Sequence, residues 1–196
     1  MVSFYIDNTV ITRKNKMAKN NTTEQNLIEK TVNVIDQNGY QDLSLRKLTK
    51  MIGLTTGAFY KHFESKDDLF KKVSIELSDQ FMQHLNLKDD QSAFDQILII
   101  ANYFVHQTQS HPQIMDFLFF NSNTSLINKN INLTEVPILK KIAILSRQAN
   151  NSNLSDQDFF LQTWAFIQGY AQLVKNEITS YDAHLVRETL TRLANN

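Results

Sequence analysis

From Thr22 onward, apolar residues recur at three- and four-residue intervals, the spacing of one helix face. Leu27, Ile28, Thr31, Val34 and Ile35 form the first such stripe. Thr22 and Gln25 have the spacing of a capping box at its start. Gly39 stands where a chain leaves a helix in the left-handed conformation. Next comes a short helix with Ser44 as N-cap, Leu43 and Leu48 as a hydrophobic staple, and Leu45, Leu48 and Ile52 as its inner stripe. Gly53 breaks it. Thr55 caps a third helix, equally short, with Leu54 and Phe59 as a second staple and an end near Phe63. Ser65 and Asp68 repeat the capping box and open a long helix whose Leu69, Val73, Leu77, Phe81 and Leu85 step by four.

The rest of the pattern is also helical. Phe94, Ile97, Leu98, Ala101 and Val105 mark a helix over Ser92–Thr108. Pro112 and Pro137 stand where proline is tolerated, in the first turns of the helices that run into "QIMDFLFF" and "ILKKIAILSRQ". The polar stretch "NSNTSLINKNINLT" between them predicts a loop or a short broken helix. After "ANNSNLSDQ", two more helices follow in "DFFLQTWAFIQGYAQLVKNEI" and "YDAHLVRETLTRLANN". No internal repeat interrupts this order. The predicted fold class is all-α.

Composition supports that class. The 196 residues include 4 Gly and 2 Pro, too few for the tight turns of a sandwich or barrel. With no cysteine, disulfides and thiol chemistry are excluded. No apolar run approaches the roughly 20 residues that span a bilayer, so no membrane partner is expected. The opening "MVSFYIDNTVITRKNK" puts its charges after its apolar residues, the reverse of a signal peptide. Because "MAKNNTTEQ" from Met17 is a more ordinary start, residues 1–16 read as an extension from an upstream start codon. Residues 1–20 as a whole read as a disordered leader. Alternatively, Arg13, Lys14, Lys16 and Lys19 form a basic arm for a minor groove.

The formal charge is zero, but it is unevenly spread. Met1–Lys72 has twelve Lys/Arg against eight Asp/Glu, and the remainder has eight against twelve. A basic front suits an anionic partner. The two short helices around Gly53 have the outline of a helix-turn-helix. A recognition helix enters the major groove at its N-terminus, which demands small or hydrogen-bonding residues there. Thr55, Thr56, Gly57 and Ala58 meet that demand. Glycine inside a helix costs about 1 kcal/mol relative to alanine, and close approach to DNA gives Gly57 a reason. Tyr60, Lys61, His62 and Lys66 then offer polar and cationic groups to phosphates. By itself a Tyr-Lys-His run also fits an ordinary exposed helix face.

Taken jointly, "SLRKLTKMIGLTTGAFYKHFESKDDLF", Ser44 to Phe70, resembles the TetR/AcrR family of transcriptional regulators. The resemblance implies that Thr55, Thr56, Gly57, Tyr60, Lys61, His62 and Lys66 hold DNA-contacting positions, with Ser44 and Arg46 in the same surface. Thr49 and Met51-Ile52 depart from the family's smaller residues, which puts the angle between the two helices in question. The implied division is a helix-turn-helix domain over residues 21–65 and a ligand-binding and dimerisation domain over residues 66–196. The implied function is a homodimeric regulator, most simply a repressor, that leaves a pseudo-palindromic double-stranded operator when a small molecule binds. The long helix after Ser65 would carry that change.

The helix containing Trp164 is apolar on two sides and so needs cover on both. Phe159, Thr163, Phe166, Gly169, Tyr170 and Leu173, with Leu185, Thr189 and Leu193 of the last helix, are the expected dimer contacts. Among the middle helices, where the resemblance implies the effector pocket, the candidates are Phe81, Phe94, Tyr103, Phe104, Phe117, Phe120 and Trp164, with His106 as a polar contact. Few charges lie there, which points to an apolar or uncharged effector. Neither a catalytic constellation, a metal-ligand spacing nor a phosphate-binding glycine loop is present, so no enzyme activity or cofactor is expected. Two alternatives stay open: a helical small-molecule-binding protein that binds no operator, and a regulator that activates or acts through a protein partner.

Overall fold

The structure is a computed structural model that describes residues 22–41, 43–120 and 137–195. The expected leader and the whole Asn/Ser/Thr-rich stretch lie outside the described residues, which form nine α-helices and no strand. They are α1 (Thr22–Asn38), α2 (Leu45–Met51), α3 (Thr56–Phe59), α4 (Lys66–His84), α5 (Ala93–Ser110), α6 (Pro112–Met115), α7 (Pro137–Ala149), α8 (Asp156–Lys175) and α9 (Ala183–Ala194). A π-helical turn, Asp116–Phe120, continues α6.

Capping residues explain most of the boundaries. Thr55, Ser65, Ser92 and Ser155 each accept a hydrogen bond from the backbone N–H three residues on, at 3.0–3.1 Å. Each satisfies a donor that the first helical turn leaves unpaired. Two expectations need correction. Helix α1 already includes Thr22, so the predicted cap is its first helical residue. Ser44 has N-cap backbone geometry, but its side chain makes no capping bond. The start of α2 is held instead by burial of Leu43 and Leu48.

Helix α1 packs on α2, α4 and α6, burying Leu27, Ile28, Val32 and Ile35. Thr31 is also fully buried, with its hydroxyl donating to the Leu27 carbonyl at 2.7 Å. Thr49 faces inward from α2 in the same way and donates to Leu45 O at 2.9 Å. The departure noted at this position thus leaves no unpaired polar atom. Helix α4 leaves the first group of helices and reaches α7, where the buried Ser78 hydroxyl accepts from Ile138 N at 3.2 Å. Helix α5 is central to the second group, packed by α7, α8 and α9. No helix among the described residues is long and apolar enough to cross a membrane.

Helix α8 ends in a Schellman motif. Ile178 N donates to Leu173 O at 3.0 Å and Glu177 N to Val174 O at 3.1 Å. That motif places Glu177 at φ 57°, a backbone conformation that suits glycine. Relief of left-handed strain is worth about 1–2 kcal/mol and is partly offset by glycine's freedom in the unfolded chain. Glu177→Gly is therefore expected to raise unfolding stability by about 0.5–1 kcal/mol, read from the midpoint of urea denaturation.

Candidate nucleic-acid interface

Helix α3 is one turn long, Thr56–Phe59, and looser turns carry the chain on to Phe63. It is shorter than the sequence pattern suggested. A single turn has too few hydrogen bonds to persist alone. Two rings hold it: Phe59 and Phe63 are buried and stack at 5.3 Å. Because they occupy the inner side, Thr55, Thr56, Gly57, Tyr60 and Lys61 are exposed, and Ala58 and His62 are half-buried. The Tyr60 ring sets its edge against Phe59 at 5.2 Å, which leaves 56 % of the residue open to solvent.

The glycines of this segment serve different ends. Gly53 lies at φ +71°, so the turn between α2 and α3 requires its backbone freedom. Gly57 has no such requirement, and a methyl group there would meet nothing nearer than Thr55 Oγ1 at 3.8 Å. Nothing among the described residues calls for glycine at this position.

Charge is one-sided across the motif. Ser44–Phe63 contains Arg46, Lys47, Lys50 and Lys61 and no acidic residue. Among the described residues, these four have no carboxylate within 4.0 Å. Arg46 is exposed and Ser44 half-buried. Lys47 and Lys50 escaped the sequence reading, although the lack of acids over this stretch was a visible signal. Lys66 is less free than the spacing implied. Its Nζ sits 5.0 Å from the Phe70 ring centroid, in the first turn of α4. Lys72 is turned inward, bonded to Glu24 at 2.7 Å and lying 4.9 Å from the Phe63 ring.

The sequence model for bacterial regulatory proteins of the tetR family matches residues 27–73, the stretch that runs from α1 through this motif into α4. Over that stretch the chain carries the sequence pattern of the TetR family. Over 90 residues it is 31% identical to the HTH-type transcriptional regulator AcrR of Shigella flexneri, covering 45% of this chain and 41% of that one. The chain thus spans about two-fifths of the length of that curated relative. Among solved structures, FadR of Bacillus subtilis in complex with stearoyl-CoA superposes with TM-score 0.62 at 16% identity, covering 87% of this chain and 97% of its own. BioQ with its double-stranded DNA operator superposes with TM-score 0.59 at 19% identity, covering 88% and 98%. At such identities the likeness is one of fold.

The remaining candidates fall into three places. Phe81, Tyr103, Phe104, Phe120 and Trp164 gather in one aromatic cluster, with centroid distances of 4.6 Å for Phe81–Tyr103 and 5.1 Å for Phe104–Trp164. Phe119, absent from the expected set, belongs to it at 5.0 Å from Phe104. Phe117, Phe94 and His106 do not join. Phe117 packs with Tyr40 and Phe70, on the side opposite Phe119, because residues two apart on a helix lie roughly 200° apart. Phe94 lines a surface cleft of about 320 Å³ with Thr191 and Asn195. His106 is exposed beside the Tyr181 ring.

The face of α8 also differs from the expectation. Phe159, Thr163 and Tyr170 are buried within the chain. The Tyr170 hydroxyl is held there, donating to Ser180 O at 3.1 Å and accepting from Asp182 N at 2.7 Å. The open side is Leu161, Ala165, Gly169 and Leu173, spaced by four, with Phe166 half-buried beside it. On α9, Leu185 is exposed and Thr189 and Leu193 are half-buried.

Since Gly57 answers to no internal need, Gly57→Ala is expected to stabilise the fold by about 0.5–1 kcal/mol through helix propensity. Thermal and urea unfolding of the full chain measure this.

Proposed function

We propose that this protein is a homodimeric, ligand-responsive transcriptional regulator that binds double-stranded DNA through α3. The observation that carries the reading is the exposed Thr55–Thr56–Gly57 tip. It is small enough for backbone to approach DNA closely, it is unexplained by packing, and uncompensated Arg46, Lys47, Lys50 and Lys61 accompany it. Thr55 and Thr56 would meet base edges and Tyr60, Lys61, His62 and Lys66 the flanking phosphates, with Ser44 and Arg46 at the backbone crossed by α2. BioQ, of the same fold, is known with its operator, which supports this reading. In its simplest form the regulator is a cytoplasmic repressor of a pseudo-palindromic operator. The working division puts DNA contact in residues 21–65 and regulation in residues 66–196.

Two copies would meet through the Leu161–Ala165–Gly169–Leu173 side of α8, with Phe166, and through Leu185, Thr189 and Leu193 of α9. The small Ala165 and Gly169 would let the paired helices approach closely. Effector binding is assigned to the aromatic cluster. Trp164 is 5 % exposed, and its Nε1–H has no acceptor among the described residues. An unmet buried donor costs about 1–3 kcal/mol, which an acceptor on a bound molecule would recover. The effector class is therefore an uncharged or largely apolar molecule with at least one hydrogen-bond acceptor.

An electrophoretic shift with duplexes selected from a random pool tests the function; a chain that retains no duplex is not a DNA-binding regulator. Lys61→Ala is expected to weaken binding to all duplexes and to lower the slope of log K against log salt by about 1. Gly57→Ala should also weaken binding, although it stabilises the fold. Gly169→Arg meets open space within one chain. It is expected to leave the fold intact and convert the dimer to a monomer, as read by sedimentation velocity.

A further inference from the structure

Two residues apart on the π-helical turn, Phe117 and Phe119 belong to different parts of the molecule. Phe117 is fully buried, with its ring 5.8 Å from Tyr40 and 5.3 Å from Phe70. Tyr40 follows the end of α1 and leads into α2; Leu43 N donates back to its carbonyl at 3.3 Å. Phe70 lies in α4 just after the chain leaves α3. One ring therefore touches both the entry to and the exit from the helix-turn-helix. Phe119 faces the other way, 5.0 Å from Phe104 and 5.7 Å from Trp164. Phe120 lies 6.0 Å from Phe104.

The backbone between them is π-helical rather than α-helical. A π-helical turn holds one residue more than the α-helix it interrupts, and such turns gather at functional sites. Closing it to α geometry rotates the following residues by about 100° relative to the preceding ones. At the start of the turn, Asp116 bonds Lys175 at 2.5 Å. Lys175 in turn lies 5.9 Å from the Phe120 ring, so the end of α8 holds both ends of the turn. Close-packed rings pass on such a step rather than absorb it.

We propose that Phe117 is a positioning residue that sets the helix-turn-helix, through Tyr40 and Phe70, according to the state of the aromatic cluster around Trp164. This rests on the regulator reading above and adds to it a route distinct from α4. Coupling of this kind is reciprocal, so DNA at the reading head must also alter the cluster. Trp164 is the sole tryptophan and reports the cluster directly.

The test uses the full chain and a fluorescently labelled duplex selected from a random pool. Binding is followed by anisotropy of the label and the cluster by Trp164 emission. The wild type should change its emission on saturation with duplex. In Phe117→Leu the emission change should be lost, while affinity moves by no more than about tenfold and circular dichroism stays that of the wild type. Wild-type binding without an emission change overturns the proposal, as does an undiminished change in Phe117→Leu. Should Phe117→Leu not fold, Tyr40→Leu takes its place with the same two outcomes. If the wild type binds no duplex, the regulator reading fails. Coupling is then decided without DNA: Tyr40→Leu must shift Trp164 emission in the free protein, and an unshifted spectrum overturns it.

Discussion

A four-residue helix does not stand on its own hydrogen bonds, and in this protein the burial of Phe59 and Phe63 holds α3 in place. Every other property of the candidate interface depends on that packing. With the two rings inside, helical geometry leaves Thr55, Thr56, Gly57, Tyr60 and Lys61 outside. The Thr55 cap and the Ser65 cap close the ends, and Glu64 N adds a bond to Asp68 Oδ2 at 3.1 Å. The tip can thus be small and polar without costing the motif its shape.

The same economy governs the passage between the two groups of helices. Aromatic contacts run from Tyr40 and Phe70 to Phe117, and from Phe119 to Phe104 and Trp164, with the π-helical turn between them. Burial, and then the Asp116 carboxylate, push the Tyr40 phenol above its usual pKa. Helix α4 offers a second, parallel connection. Phe70 and Phe81 on its inner side touch the two ends of the aromatic series, and Ser78 caps the start of α7.

Helix α8 shows how a chain can hide most of an apolar helix and still leave a strip of it exposed. Its rings are turned inward, and Tyr170 is fixed by two hydrogen bonds to the chain that follows. What remains outside is a narrow strip with small residues at its centre. Such a strip suits close helix pairing better than the bulky side would.

Helix order, the glycine turn and most caps were legible in the sequence, because they depend on local geometry: a serine or threonine three residues before a free N–H, a glycine where φ is positive, an apolar residue every third or fourth place. The helix-turn-helix outline around Gly53 was legible for the same reason. Periodicity identifies the apolar sides of a helix but not what covers each of them. Only the tertiary structure decided that Phe159, Thr163 and Tyr170 turn into the chain while Leu161, Ala165 and Gly169 face out. It likewise decided that Thr49 bonds back to Leu45 and that Ser44 caps by backbone alone. Phe117 and Phe119 face opposite sides because they are two residues apart, but a run such as "DFLFF" does not show which helices cover each side. Local sequence sets which residues want to be buried; the packing of distant helices sets where.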